Sequence, residues 1–382
     1  MTRFFWLARR NCAAAALIAA ACLASVPGGC GFSRQKDVRA ILAEPFPKKL
    51  SEWHLFKSMR EGLKPNARVV PYDLNTPLFS DYASKYRFVW MPVGASAEYR
   101  DDGPFEFPAG TIFAKTFAFP AEGRRGGERL IETRLLVHTN AAWVPLPSVW
   151  NREEDEAFLR LAPDPVEIHC IDAAGKRRDF TYQIPNTNEC HECHDNNKVL
   201  LPIGPKARNL NKIFAYEDGA ENEIAHLTKV GYLLGAPALE SIPRAPKWND
   251  ASDGTLADRA KSDLDNNCAH CHQPGGTAGY TGVDLRSTHF DLLHSGICKR
   301  PNSAGVMGDL QFDLVLGHPD QSILLYRMES TAPKVMMPQI GRAVVHEEGV
   351  ALIREWIASL SPQTCGPAGP RQDDARPRRN GF

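Results

Sequence analysis

Two five-residue units carry the clearest chemistry in the chain. Cys190-His191-Glu192-Cys193-His194 and Cys268-Ala269-His270-Cys271-His272 both have the pattern Cys-x-x-Cys-His. Two cysteine sulfurs at this spacing can form thioether bonds with the two vinyl groups of one haem, and the adjacent histidine can bind its iron. The sequence therefore predicts two covalently bound haem c groups, with His194 and His272 as the proximal iron ligands.

Zinc and dithiol chemistry are the alternatives for these cysteines. Four cysteines can bind structural zinc, but zinc ribbons usually separate their pairs by about 15–20 residues, whereas 74 residues lie between Cys193 and Cys268. A redox dithiol does not need the histidine that follows each pair. His191 and His270 occupy variable positions of the motif, so we do not expect them to bind iron.

A six-coordinate haem needs a second axial ligand. For the second haem, Met337 precedes Pro338 and lies 65 residues after His272. A following proline favours an extended backbone that can present the thioether to the iron. Met336 is the next candidate, whereas Met328 fits the packed face of a helix.

The distal ligand of the first haem is less well defined, because no methionine lies between the two motifs. His226 is the nearest candidate and would give a bis-histidine site of lower potential. Met91, His138 or an open distal face are the alternatives. Lys206 and Arg208 could pair with haem propionates, or could belong to a solvated loop.

Length and charge exclude several classes of protein. The chain has 382 residues, enough for two or three domains. Its 45 basic and 45 acidic residues cancel, which gives no case for nucleic-acid binding. A hydrophobic fraction of 43% with 24% charged residues is typical of a globular protein.

Short strands dominate the pattern before the first motif. Polar and apolar side chains alternate with a period of two, and turn residues separate the runs. The clearest runs are residues 85–90, 111–119, 129–137 and 178–184. We expect an all-β sandwich or barrel-like domain over residues 31–184.

The pattern after residue 184 favours helices. Residues 185–250 form the first haem-binding segment, with one helix predicted over 221–234. Thr255-x-x-Asp258 predicts the start of a helix that runs into Cys268, and apolar residues recur at helical spacing over 350–360. We expect mainly α cytochrome c-type haem domains here, with a cytochrome c domain at 251–362 and a disordered tail at 363–382.

Residues 1–30 have the composition of a secretory signal. Three arginines flank an apolar stretch of 15 residues, which is short for a membrane span of about 20. The signal predicts an exported, periplasmic protein. Small residues before Cys30 are also similar to a lipoprotein cleavage site, although Pro27 replaces the usual leucine. A lipid anchor at Cys30 and simple cleavage both stay open.

The remaining cysteines fit this compartment. Cys12 and Cys22 lie in the signal. Cys298 and Cys365 can form a disulfide, which is permitted outside the cytosol. Cys170 lies in a strand-like run and is expected to be a small buried apolar residue.

Seven segments of the chain are similar to those of a known protein family. They are residues 76–92 (TPLFSDYASKYRFVWMP), 107–120 (FPAGTIFAKTFAFP), 127–137 (GERLIETRLLV), 184–194 (IPNTNECHECH), 202–211 (PIGPKARNLN), 266–272 (NNCAHCH) and 326–357 (YRMESTAPKVMMPQIGRAVVHEEGVALIREWI). The chain resembles a bacterial family of exported, often lipoprotein-like, dihaem c-type cytochromes. The resemblance implies haem attachment at the four motif cysteines, proximal ligation by His194 and His272, and distal ligation by Met337.

The expected function is electron transfer between extracytoplasmic donor and acceptor proteins, because no nucleophile or acid–base constellation stands out. A dihaem peroxidase-like oxidoreductase, with an open distal site at the first haem, is the alternative. A third interpretation makes the β-rich domain a substrate- or partner-binding module, in which His138 and His169 could bind a metal.

Overall fold

One antiparallel sheet organises the first half of the chain. The computed structural model describes residues 36–59, 63–121, 127–162, 164–291, 294–302 and 307–366. Six strands pair in the order β1-β2-β4-β5-β6-β7. Their bounds are β1 Val70–Tyr72, β2 Ser84–Trp90, β4 Ile112–Pro120, β5 Glu128–His138, β6 Trp143–Trp150 and β7 Ala157–Leu159. The order is linear, so the sheet is open and does not close into a barrel.

Smaller strand pairs surround this sheet. A two-residue strand, β3 (Ala97–Glu98), pairs in parallel with β14 (Leu233–Leu234). The hairpin of β8 (Asp164–Ile171) and β9 (Arg177–Ile184) contacts β4. Two further hairpins follow, formed by β10 (Asp195–Asn196) with β11 (Val199–Leu200) and by β12 (Ile213–Tyr216) with β13 (Gly219–Asn222).

The two faces of the main sheet have different partners, because successive side chains in a strand point to opposite faces. One face carries Phe88, Ile112 and Leu135, which pack against the chain's earlier residues Leu50 and Trp53. Apolar clusters on the other face pack against the β8–β9 hairpin and against residues 200–242. This second face forms one wall of the candidate site.

Six α-helices are described, and most are short. They are α1 Thr187–His194, α2 Ala207–Leu210, α3 Glu223–Lys229, α4 Leu256–Asn267, α5 Ile323–Glu329 and α6 Glu347–Ser359. In α4 the Thr255 side chain accepts the Asp258 N–H, as the capping pattern predicted. The predicted helix over 221–234 is shorter than expected, because it ends at Lys229.

The predicted fold class is wrong. We expected mainly α haem domains after an all-β sandwich or barrel, but the described chain is mostly β and turn structure and contains no evident α-helical cytochrome c domain. Between α4 and α5 the described residues contain only short 3-10 turns. Glycine and proline are frequent in that stretch, and both are unfavourable inside helices.

Contacts tie the sheet to the C-terminal part of the chain. The Asp81 side chain accepts the N–H groups of Ala343 and Val344, and the Phe79 N–H donates to Asn267 Oδ1 at 2.7 Å. The described residues accordingly group as one compact unit.

The cysteine assignments outside the motifs are partly resolved. Cys298 and Cys365 form the predicted disulfide, and Cys170 is buried as a free thiol. The signal (1–30) with Cys12, Cys22 and Cys30, and most of the 363–382 tail, lie outside the described residues. Among the helices that are described, none has the length and apolar character to cross a membrane.

Candidate haem-binding site

The first motif forms the end of a short, capped helix. The Asn186 side chain accepts the Glu189 N–H at 2.9 Å, and the Asn186 N–H donates to Glu189 Oε2 at 2.8 Å. This reciprocal pair fixes the start of α1. The helix places Cys190, Cys193 and His194 within two turns, and none of its residues is buried.

A backbone carbonyl orients the His194 ring. Its Nδ1 lies 2.7 Å from the Leu201 carbonyl oxygen. When Nδ1–H donates to that oxygen, the Nε2 lone pair is left to bind a metal. Desolvation of this half-buried ring lowers the pKa of His194 to about 4, so the ring is neutral at pH 7.

The second motif forms a tight turn at the end of α4. The Cys268 N–H donates to the Leu264 carbonyl, and the His272 N–H donates to the Cys268 carbonyl at 2.9 Å. The turn brings the two cysteines and His272 together. His272 Nδ1 faces Thr281 Oγ1 at 3.4 Å, a longer contact than the one at His194.

The two motifs are in direct contact, although 73 residues separate them. Both Thr277 Oγ1 and Cys271 Sγ approach the Glu192 carbonyl oxygen, at 2.6 and 3.2 Å. The Asn197 N–H donates to the Gly275 carbonyl at 2.7 Å. Gly275 has φ +81°, and a Cβ there would lie 2.7 Å from the Asn197 side chain, so only glycine allows this approach.

A large cavity lies between the sheet and both motifs. Its empty space amounts to about 1690 Å³, a figure that includes open solvent at its mouth. Cys190, Cys193, His194, Cys268 and Met337 all line it. Cys271 and His272 are not among the described residues that line the cavity, although they adjoin the others in the chain.

The Met337 backbone is held on both sides. Its N–H donates to the Arg327 carbonyl at 3.0 Å, and its carbonyl accepts Arg342 Nη2 at 2.9 Å. Of the alternatives, Met328 also lines the cavity, whereas Met336 is not among the lining residues.

The other candidate ligands lie elsewhere. His226 stacks on Tyr216 with ring centroids 3.6 Å apart, and its Nδ1 bonds Glu221 Oε2 at 2.9 Å. His138 stacks on Trp143, and Met91 is buried in an apolar cluster. None of the three is among the described residues that line the cavity.

Lys206 and Arg208 already have carboxylate partners. Arg208 Nη2 bonds Asp102 Oδ1 at 2.7 Å, and both cations lie 3.6 Å from Asp265 Oδ2. Neither residue is among the described residues that line the cavity.

Sequence reasoning missed the contribution of the sheet to this cavity. Arg87, Lys115 and Arg134 line it from three neighbouring strands. The available signal was a cation within each of three largely apolar or alternating strands, and only the pairing of the strands combines these cations into one row.

The contact between the motifs also creates a group with metal-binding potential. The sulfurs of Cys193 and Cys271 and a ring nitrogen of His270 lie within 4.8 Å of one another. The hydrogen bond between the Cys193 and Cys271 side chains raises the pKa of the Cys193 thiol and lowers that of Cys271. A thioether bond at either sulfur would remove the corresponding thiolate, so haem attachment and metal binding by this group compete.

No protein family, curated protein or solved structure shows significant similarity to this chain. The chemistry of the site must therefore be argued from its own residues.

Proposed function

We propose that the protein is a dihaem c-type cytochrome that transfers electrons between extracytoplasmic donor and acceptor proteins. The observation that carries the proposal is the meeting of both Cys-x-x-Cys-His motifs at one cavity. Two redox groups attached there would be close neighbours, as electron transfer within one molecule requires. The predicted export signal agrees with covalent haem attachment outside the cytosol.

The donor set suits haem c. Cys190 with Cys193, and Cys268 with Cys271, would form the thioether bonds. His194 and His272 would bind iron on the proximal side, and Met337 would bind the second iron. When bound, each haem supplies a one-electron Fe³⁺/Fe²⁺ couple. The chain's own part is to orient the His194 ring through the Leu201 carbonyl and to fix the Met337 backbone through Arg327 and Arg342.

The first experiment measures haem content and mass. We expect the mature protein to carry two covalently attached haems and to take up two electrons in a redox titration. His194→Ala should change the axial ligation of one haem, visible in absorption and electron paramagnetic resonance spectra. His191→Ala is the matched control, because His191 faces solvent and bonds only Asp195 among the described residues.

If Cys193, His270 and Cys271 bind a metal ion instead of haem, the same experiment should show no haem. A colourless protein with stoichiometric zinc, lost in Cys193→Ser and Cys271→Ser, would contradict the haem proposal and favour the site formed by Cys193, His270 and Cys271.

A peroxidase-like oxidoreductase is the second candidate. It is favoured by the location of His226, His138 and Met91 away from the cavity lining, which leaves the first haem without a ligand from that set. A high-spin signal from one haem of the oxidised protein, together with peroxide-dependent oxidation of a reduced donor, would favour it. Two low-spin haems would favour the electron carrier.

A further inference from the structure

Three cations stand in one row across the cavity wall. Lys115 on β4 pairs directly with Arg87 on β2 and with Arg134 on β5. All three side chains line the cavity. Directly opposed side chains in an antiparallel sheet have Cβ atoms about 4.5–5.5 Å apart, and like charges at that distance are destabilising.

The two arginines have partial compensation. Arg134 donates to both oxygens of Glu132, at 2.9 and 2.6 Å. Tyr182 donates to the same carboxylate, so Glu132 is fully engaged. Arg87 Nη1 bonds Asp73 at 2.7 Å, but its Nη2 is buried with no hydrogen-bond partner in the described part of the chain.

Lys115 is the uncompensated member of the row. Among the described residues no hydrogen bond or ion pair joins its Nζ to an acceptor, and its nearest defined partner is the Phe117 ring at 4.8 Å. Burial lowers the pKa of Lys115 well below its usual range, and the charges of Arg87, Arg134 and Lys85 lower it further. An anion between Lys115 and the unpaired Arg87 nitrogen would offset the repulsion among these cations and would favour the charged form of Lys115.

We propose that Lys115 and Arg87 form a binding site for one carboxylate inside the cavity. In the haem-loaded protein the carboxylate is a haem propionate, and this part of the proposal rests on the proposed function. Arg87 is 4% exposed, so its charge-assisted hydrogen bond to a carboxylate would form out of contact with water. Lys206 and Arg208 cannot serve equally well, because Asp102 and Asp265 already pair with them.

The test uses the purified full-length protein and the variant Lys115→Gln. We expect the haem content and spin state of the variant to match wild type. The reduction potential of one haem should fall, because the propionate loses its neutralising cation. That potential should also become dependent on pH between about 5 and 8, because the pKa of an unpaired propionate rises. Lys57→Gln is the control, because Lys57 is exposed and is not among the described residues that line the cavity.

Acetate identifies the source of the carboxylate. If a propionate fills the site, acetate leaves the unfolding temperature unchanged while Lys115→Gln still shifts the potential. If the site takes free carboxylates, acetate raises the unfolding temperature of wild type saturably and has no such effect on Lys115→Gln.

Two results would overturn the proposal. In the first, Lys115→Gln and Lys115→Met change neither the potential nor its pH dependence, and acetate does not distinguish them from wild type. In the second, either variant changes a haem from low spin to high spin, which would make Lys115 an axial ligand. If Lys115→Gln fails to mature, Lys115→Met provides the same measurements. A protein without haem contradicts the proposed function, and the acetate experiment then still decides the carboxylate site.

Discussion

The two Cys-x-x-Cys-His motifs share a pattern but lie in different surroundings. The first lies in α1, an eight-residue helix with no buried residue. The second follows α4, in which seven of twelve residues are buried, and α4 packs on α6. The second motif is therefore supported by an apolar core, whereas the helix of the first motif has little apolar support of its own, and the proposed haem would supply it.

The cavity lining near each motif also comes from different segments of the chain. Near the second motif the cavity wall includes Met337, from a loop just before α6. The first motif faces strands that precede it by more than fifty residues and that carry Lys115 and Arg134. A short motif thus supplies the cysteines and the histidine of each proposed haem site, but the rest of the site's surroundings come from elsewhere in the chain.

The largest expected difference between the two motifs is the effect of removing their cysteine pairs. We expect Cys190→Ala with Cys193→Ala to remove one haem and to increase amide hydrogen exchange in α1 at least tenfold, because so short a helix is marginal without packing. Cys268→Ala with Cys271→Ala should also remove one haem but leave α4 protected. Mass spectrometry and hydrogen exchange measure both effects, and equal loss of protection in α1 and α4 would contradict the asymmetry.

Burial of Glu223, the first residue of α3, should make the stability of the folded protein sensitive to pH. Burial raises the pKa of Glu223 to about 8, from about 4.5. Only the folded protein holds this proton between those pH values, so the free energy of unfolding should fall as pH rises from about 4.5 to about 8. Glu223→Gln keeps an acceptor for the Asp73 N–H and should remove this dependence, worth on the order of a few kcal/mol.

Urea unfolding of wild type and Glu223→Gln at pH 5 and pH 8 measures that effect. The exposed Glu240→Gln is the matched control. An unchanged pH slope in Glu223→Gln would contradict the assignment.

Replacing Met337 should change the reduction potential of only one of the two proposed haems. In Met337→Ala we expect the potential of one haem to fall by about a tenth of a volt or more, on a scale on which axial ligands set potentials over about 0.8 V. The other haem should be unaffected. Met336→Ala is the control, and a larger shift in that variant would transfer the ligand role to Met336.

The two helix caps allow the smallest and most closely matched test. Asn186 caps α1 and Thr255 caps α4, each by accepting an N–H three residues later. Replacing either by alanine should cost about 1 kcal/mol. For Thr255→Ala the cost should appear in global unfolding, whereas for Asn186→Ala it should appear as local exchange in α1. Global destabilisation by both variants would show that α1 is as well integrated as α4.

Local patterns predicted local structure well. Four strand-like runs became β2, β4, β5 and β9, and the Thr255 cap and the last helix are confirmed. β6 was missed, because Pro145 and Pro147 argue against a strand. It tolerates them because β7 pairs only with residues 148–150, so the proline positions lie at an edge that needs no donor.

Helical content was overestimated, because two real helices were extended into a whole domain. α4 and α6 have the expected periodicity, but the stretch between α4 and α5 is rich in glycine and proline and forms turns. Glycine and proline disfavour helix throughout that stretch, and the capping box at Thr255 determines only where α4 begins.

The sequence by itself determined which atoms can do chemistry: two cysteine pairs with adjacent histidines, a Met-Pro step and a disulfide pair. These depend on residue type and short spacing, which the chain fixes covalently. Only the tertiary structure decided that both motifs meet at one cavity and that Arg87, Lys115 and Arg134 stand in a row on its wall. Such contacts depend on strand register and on packing between distant segments, and many different pairings are compatible with the same local patterns.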